Sequence, residues 1–230
     1  MEHAFEKIEN NMRGKMTEQM KEWSGKFGKE YTDRNLMPLD ELDQLYINKF
    51  GISRTELNKE FLDDLKTGRI LEVGCNVGNQ LLLLKKMGYP NLWGIELQDY
   101  AVEIARKRTS GINIVKSSAF DIPFKDSYFD LVFTSGVLIH ISPDDIDKAL
   151  DEMYRCTNRY IWGFEYYTGE GYQMVNYRGS NSLLWKTDFA KLFLDRFPDL
   201  KRVKEKKYPY LEDKKLVDHA FLLKKIEIYR

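Results

Sequence analysis

Charge of one sign, cysteine and long apolar runs are what this chain lacks. Lys+Arg and Asp+Glu both number 36, so the formal net charge is zero. That argues against broad electrostatic capture of nucleic acid, which needs a basic excess or a basic face. The basic stretch 201–207 reads as a solvated strand edge or loop. Only two cysteines occur, Cys75 and Cys156, far apart and without metal-type spacing. Both are expected to be reduced thiols of a cytosolic protein, with no metal bound. No apolar run approaches the roughly 20 residues of a membrane span, and the N-terminus is charged, without a signal-peptide core. The expectation is a cytoplasmic protein with no membrane partner. There is no internal repeat, low-complexity tract or clear linker, and 230 residues suffice for one α/β domain with a sizeable core.

What is present is an alternation of strands and helices from residue 69 onward. Apolar runs at 70–73, 92–96, 112–115, 129–134 and 159–164 read as strands. Helical patterns at 78–87, 100–108 and 143–153 lie between them. This alternation implies right-handed βαβ units and a largely parallel sheet with helices on both faces. Residues 186–196 read as a further helix, and 201–208 with 218–228 as a closing strand pair. Residues 165–182 are rich in Gly and Tyr and read as a long functional loop. Before the first strand the chain is helical. Met16, Met20, Trp23 and Phe27 fall at helical spacing, a helix starts at Pro38 and another spans 55–65. Residues 1–66 are thus expected to cap a core of residues 67–230 within the same domain, with Trp23 and Phe27 in the core of that cap.

The strand at 70–73 runs into the turn Gly74-Cys-Asn-Val-Gly78 and then a helix. Such a turn brings bare backbone against a nucleotide-like ligand. The second strand ends in Glu96, a carboxylate placed to accept both hydroxyls of a ribose. Glu72 separates the candidates. Beside the turn it repels a pyrophosphate and attracts a cationic amino-acid group. The pattern favours S-adenosylmethionine, which has that cation, a ribose and no phosphate, over a dinucleotide.

On these residues the chain resembles class I S-adenosylmethionine-dependent methyltransferases. Glu72, Gly74 and Gly78 match their first motif, and Asn76 stands where the middle glycine is expected. Asn tolerates positive φ better than other non-Gly residues. The resemblance implies a Rossmann-like fold with a seven-stranded, mostly parallel sheet and S-adenosylhomocysteine as product. It also places Ser118, with Ala119 and Phe120, at the adenine, and Phe120 or Ile122 against the ring. Asn79, Leu97, Thr134 and Gly136 join the cofactor wall. Tyr31, Arg34 and Asn35 close over the cofactor, with Arg34 at the methionine carboxylate. Blocks at 23–35, 136–145, 158–167, 177–179 and 188–200 resemble methyltransferases associated with pseudaminic acid biosynthesis. At 217–223 the chain lacks that family's Trp and carries His219.

Methyl transfer from a sulfonium needs orientation, and a base only when the acceptor is a hydroxyl or a protonated amine. His140 and Glu165 follow strands at the carboxyl edge, where ligands sit in open α/β sheets. His140 is the first candidate base; Glu165 and Tyr166 are candidates for orientation or proton acceptance. Tyr167, Tyr177 and Arg178 are candidate acceptor contacts, and Arg178 can grip a carboxylate bidentately. The expected acceptor is a small polar metabolite, a sugar or nonulosonate-type molecule such as a carboxylated sugar, methylated on O or N. The alternatives are a nucleic-acid or protein methyltransferase and a non-catalytic cofactor-binding protein. Thr134-Ser-Gly-Val stands where base-amino methyltransferases carry Asn/Asp-Pro-Pro-Tyr/Phe. His3 and His219 are read as exposed or structural.

Overall fold

The computed structural model describes residues 16–226. His3, residues 1–15 of the expected cap and the last two residues of the expected final strand lie outside them. Four helices come first: α1 (Glu18–Ser24), α2 (Lys26–Asn35), α3 (Leu39–Phe50) and α4 (Arg54–Leu62). The helix expected through Phe27 breaks because Gly25 is extended, and the Ser24 hydroxyl donates to the Met20 carbonyl at 2.7 Å. The alternating part follows as β1 (Arg69–Val73), α5 (Asn79–Lys86), β2 (Asn91–Glu96), α6 (Asp99–Arg108), β3 (Asn113–Lys116) and β4 (Phe129–Ser135). A 3-10 turn (Leu138–His140), α7 (Ile146–Cys156) and β5 (Thr157–Tyr166) come next. The chain closes with β6 (Gln173–Met174), β7 (Trp185–Lys186), α8 (Phe189–Arg196), β8 (Leu200–Pro209) and β9 (Val217–Lys225).

Seven strands form one sheet in the order β3-β2-β1-β4-β5-β9-β8. The first five are parallel, and β9 runs antiparallel between β5 and β8. Both faces are covered, which is why the central strands are apolar throughout rather than alternating. Strand pleating sends Val132 and Ile161 to one core, with Ala149, Leu150 and Met153 of α7 and Phe189 and Phe193 of α8. Phe133 and Trp162 go to the other, with Leu57 and Phe61 of α4, Leu81 and Leu84 of α5, and Ala105 of α6. The basic stretch is the edge strand β8, whose Lys204 and Lys206 ammonium groups bond Glu60. Lysines on an exposed edge also discourage pairing with another chain.

Two expectations change in the region 165–196. The long loop holds a small hairpin, β6 with β7. Residue 186 therefore belongs to a strand, and α8 starts later, at a cap where the Asp188 carboxylate accepts from the Lys191 N–H at 2.9 Å. The order of the large sheet puts a topological switch between β1 and β4, so the carboxyl ends of β2, β1, β4 and β5 share one open edge.

Candidate functional site

The turn after β1 is built by its own backbone and by one side chain from β2. The Gly74 and Cys75 N–H groups both donate to the Ile95 carbonyl at 2.9 Å. Gly74 has φ 73°, and a Cβ there would stand 2.7 Å from a Val137 methyl. Asn76 has φ 45°, the positive value that its replacement of a glycine demands. Its N–H donates to Glu96 Oε2 at 2.9 Å, and Glu96 Oε1 accepts from the Gln98 N–H at 2.8 Å. Glu96 thus ties the turn to β2 while each carboxylate oxygen keeps a further lone pair.

Glu72 is 3% exposed, and its Oε2 has no hydrogen-bond partner among the described residues. Burial pushes its carboxyl well above the usual range, the nearby Arg54 guanidinium opposes that, and Glu96 adds to it. Arg54 is fully buried, bonded to Asn58 Oδ1 at 3.0 Å and the Tyr46 hydroxyl at 3.2 Å. It lies 4.7 Å from the Phe164 ring centre.

The cap is clamped onto this turn. Asn76 Nδ2 donates to Thr32 Oγ1 at 3.1 Å, and Asn79 Nδ2 donates to the Asn35 carbonyl at 2.8 Å. The Arg108 guanidinium reaches the Val77 carbonyl, Asn79 Oδ1 and the Met37 carbonyl at 2.8 to 3.1 Å. Between cap, sheet edge and hairpin lies a cavity of about 570 Å³, within the usual range for a small-molecule site.

The cavity wall includes Tyr31, Asn35, Glu72, Gly74, Asn76, Asn79, Glu96, Leu97, Ser118, Ala119, Phe120, Gly136, His140, Tyr166 and Tyr177. Ser118 Oγ accepts the Phe120 N–H at 3.1 Å, which fixes the loop after β3. Ile122, the alternative ring contact, is in the core instead. Trp23 reaches the wall as well as packing in the cap, with its ring centre 4.4 Å from that of His140. Cys75 and Cys156 are free thiols and buried.

Six expected site residues stand elsewhere. Arg34 is exposed on α2, with its guanidinium over Tyr31 at 5.9 Å. Gly78 caps α5, and Thr134 is inside the sheet. Glu165 is 1% exposed and faces away from the cavity. Its carboxylate accepts the Val137 and Ile139 N–H groups at 3.2 and 3.3 Å. It holds the 3-10 turn that carries His140. Tyr167, one residue past the end of β5, accepts from Lys207 Nζ at 2.8 Å and packs edge-on to His219. Arg178 is exposed at φ 52°, at the tip of a turn closed by Tyr177 and Ser180. No carboxylate clamp is formed there.

His140 has one ring nitrogen committed. Nδ1 bonds the Leu183 carbonyl at 2.6 Å, so Nδ1 carries the proton and Nε2 is the acceptor. Burial lowers its pKa to about 4, which keeps the ring neutral at pH 7. A stripe that no sequence motif marks, Leu42, Leu45, Tyr46 and Lys49, lines the cavity from α3. Its spacing of i, i+3, i+4 and i+7 is legible as one helix face. Asp218 and Tyr210, from β9 and the connection before it, also line the cavity without a motif to mark them. They enter only through the strand order.

Residues 71–159 match the family model for a methyltransferase domain. The methyltransferase match covers β1 through the start of β5, so it contains the glycine turn, Glu96 and His140. An uncharacterized methyltransferase of Staphylococcus carnosus is 34% identical over 41% of this chain and 45% of that protein. A probable tRNA methyltransferase 9B of Mus musculus is 29% identical over 46% of this chain and 25% of that protein. The chain spans less than half the length of these curated relatives. A solved structure with the same fold is the 1,6-didemethyltoxoflavin-N1-methyltransferase of Burkholderia thailandensis, with bound 1,6-didemethyltoxoflavin and S-adenosylhomocysteine. It has a TM-score of 0.59 at 13% identity and covers 75% of this chain and 76% of that one. The fold is the Rossmann-like fold of class I methyltransferases. Among the described residues no helix is long and apolar enough to cross a membrane.

Proposed function

We infer that this chain is an S-adenosylmethionine-dependent methyltransferase acting on a small polar acceptor, of sugar type, at oxygen or nitrogen. The observation that carries the reading is Glu72 Oε2, buried without a partner among the described residues at the wall of the cavity, beside a turn held by Glu96. A buried carboxylate oxygen left unpaired is costly, and an ammonium group satisfies it. The residues present fit the donor. Glu96 has lone pairs for two ribose hydroxyls, the orphaned Asn76 Oδ1 supplies another acceptor, and Leu97, Ser118 and Phe120 form a mixed wall for a base. When bound, S-adenosylmethionine supplies an electrophilic methyl group on a sulfonium and leaves as S-adenosylhomocysteine.

The chain's own groups then have three tasks. Glu72 and the turn orient the donor. The cap, with Tyr31 and Trp23, excludes water from the transfer. His140 Nε2 takes the acceptor's proton, since its ring is neutral and the other nitrogen is tied to Leu183. The resemblance to pseudaminic acid-associated methylases adds nonulosonate-type sugars to the acceptors to be tried, but a free carboxylate on such an acceptor finds Arg178 outside the cavity wall, so the cavity favours a neutral sugar.

The test is titration calorimetry with S-adenosylhomocysteine, followed by transfer of a labelled methyl group to a panel of sugars and sugar acids. Binding in the micromolar range and a mass gain of one methyl are expected. No binding at millimolar concentration overturns the reading. His140→Ala is expected to lower turnover about 100-fold with S-adenosylhomocysteine affinity within about twofold; normal turnover removes it as the base. Because burial lowers the His140 pKa to about 4, the acid limb of kcat/KM is expected below pH 5 rather than near 6.5. A limb at 6.5 would mean that another group, or an exposed His140, accepts the proton.

A further inference from the structure

The cavity continues past the groups assigned to the donor. Along the open edge the strands run β2, β1, β4, β5, β9. The donor's ribose belongs over β2 and its amino-acid end over β1. At about 4.8 Å per strand spacing, β9 lies about 14 Å from β1, on the side away from the ribose. A ligand group that meets β9 is therefore part of the acceptor.

Lys49 of α3, Asp218 of β9 and Tyr210 stand at that end of the cavity. Asp218 is 7% exposed, and its Oδ1 accepts from the Tyr210 hydroxyl at 3.0 Å. Its Oδ2 lies 3.8 Å from Lys49 Nζ, beyond hydrogen-bond reach. Lys49 Nζ sits 4.0 Å from the Tyr210 ring centre, and no hydrogen bond from it is formed among the described residues. An ammonium and a carboxylate thus stand side by side without a hydrogen bond between them, each with hydrogen-bonding capacity left over for a group that reaches both from the cavity. Burial lowers the Lys49 pKa and raises that of Asp218, the cost of holding both charges with incomplete solvation.

The pair discriminates between ligand groups. A hydroxyl seated against both accepts from the ammonium and donates to the carboxylate. A carboxylate placed there meets the charge of Asp218 as closely as that of Lys49. Among the described residues Lys49 is the one Lys or Arg side chain on the cavity wall, and Asp218 already balances it. Around the pair are aromatic faces. Tyr166 and Tyr210 are stacked with centres 6.1 Å apart, and Tyr46 lies one helical turn before Lys49. Tyrosine faces pack against ring C–H groups, and their hydroxyls meet a polar rim.

We propose that Lys49 and Asp218 clamp a neutral hydroxyl of a sugar-type acceptor, with Tyr210 orienting the carboxylate and Tyr46 and Tyr166 packing on the ring. This rests on the methyl-transfer reading and assigns the acceptor half of the same cavity.

The test is saturation-transfer NMR on the full chain with S-adenosylhomocysteine bound, using glucose, galactose, glucuronic acid and galacturonic acid as probes. The neutral sugars are expected to bind at least about tenfold more tightly than the matching acids. Lys49→Met and Asp218→Asn are each expected to weaken neutral-sugar binding about tenfold, a loss of about 1.4 kcal/mol, with S-adenosylhomocysteine affinity within about twofold. Acids that bind as well as the neutral sugars, or neutral binding that neither substitution changes, overturn the clamp and leave the methyl-transfer reading intact. Absence of sugar binding in the wild-type chain also overturns the clamp. If the wild-type chain does not bind S-adenosylhomocysteine, the methyl-transfer reading falls and the clamp with it. Should a charge variant lose S-adenosylhomocysteine binding through misfolding, Tyr210→Phe carries the test, because it removes one hydroxyl. It is expected to weaken neutral sugars about threefold, and no change overturns the assignment.

Discussion

Glu96→Gln is expected to weaken S-adenosylhomocysteine binding at least about 100-fold while leaving the chain folded. The carboxylate already accepts the Asn76 and Gln98 N–H groups, one on each oxygen. Its remaining lone pairs are the proposed ribose acceptors. An amide of the same size keeps one oxygen and turns the other into a donor that faces an N–H or a hydroxyl. Each charge-assisted hydrogen bond contributes about 1.5–3 kcal/mol, and about 1.4 kcal/mol is tenfold in affinity. Two ribose contacts therefore account for the loss. Calorimetry checks it, with near-UV circular dichroism as the control for folding. Affinity within threefold of wild type would remove Glu96 from the ribose site. Disruption of the glycine turn without loss of fold is a separate outcome, readable from the Asn76 amide shift in NMR.

Glu165→Ala is expected to cost about 3 kcal/mol of stability or more and to lower the melting temperature by about 10 °C. The mechanism is not lost acid–base chemistry. Two N–H groups of the turn after β4 lose their acceptor, and the site is too buried for water to replace it freely. The turn carries His140, so turnover falls as well. Glu165→Gln keeps one acceptor oxygen and is expected to recover part of both. A melting temperature within 2 °C of wild type would show that the turn does not depend on this carboxylate.

The same residue leaves a mark on the pH dependence of stability. Burial raises the Glu165 pKa to about 7, so the folded chain holds a proton that the unfolded chain, with a pKa near 4.5, releases. Its contribution is complete below pH 4.5 and is lost as pH rises through 7. His140 acts in the opposite sense. Its folded pKa of about 4 lies below the ordinary histidine value of 6.5, so its contribution is present above 6.5 and is lost as pH falls to 4. Between about pH 4.5 and 6.5 the two slopes oppose each other. In Glu165→Gln the falling contribution of Glu165 is removed, so the slope of stability against pH across that window is expected to become more positive than in the wild-type chain. Denaturant unfolding at pH 5 and pH 6.5 measures it.

Part of this site was readable in the chain because it is local. The strand, turn and helix around Gly74 and Asn76 are consecutive residues, and their backbone demands are written in residue types. Asn76 takes positive φ because only a short polar side chain tolerates what glycine would otherwise do there. Glu96 is twenty residues further on, but one βαβ repeat brings it back at a nearly constant distance. Local patterns misled where tertiary phase decides. Residues 164–167 are consecutive and all suit a ligand site, yet Phe164 and Tyr166 line the cavity while Glu165 and Tyr167 do not. Strand alternation was knowable; which phase faces the cavity depends on the pairing of β5 with β4 and β9. Arg178 looked like a carboxylate clamp by residue type, and the turn at Tyr177 and Ser180 points its backbone elsewhere.

By itself, then, the sequence determined the alternating α/β order, the glycine turn and the carboxylates near its two strand ends, because these follow from short-range periodicity and backbone sterics. Tertiary structure alone decided the end of the cavity proposed for the acceptor. Lys49 and Asp218 are separated by most of the chain and meet only because β9 inserts between β5 and β8 and α3 packs over its end. No local rule relates two residues whose proximity is set by strand order. The loose pair they form is a property of the assembled sheet.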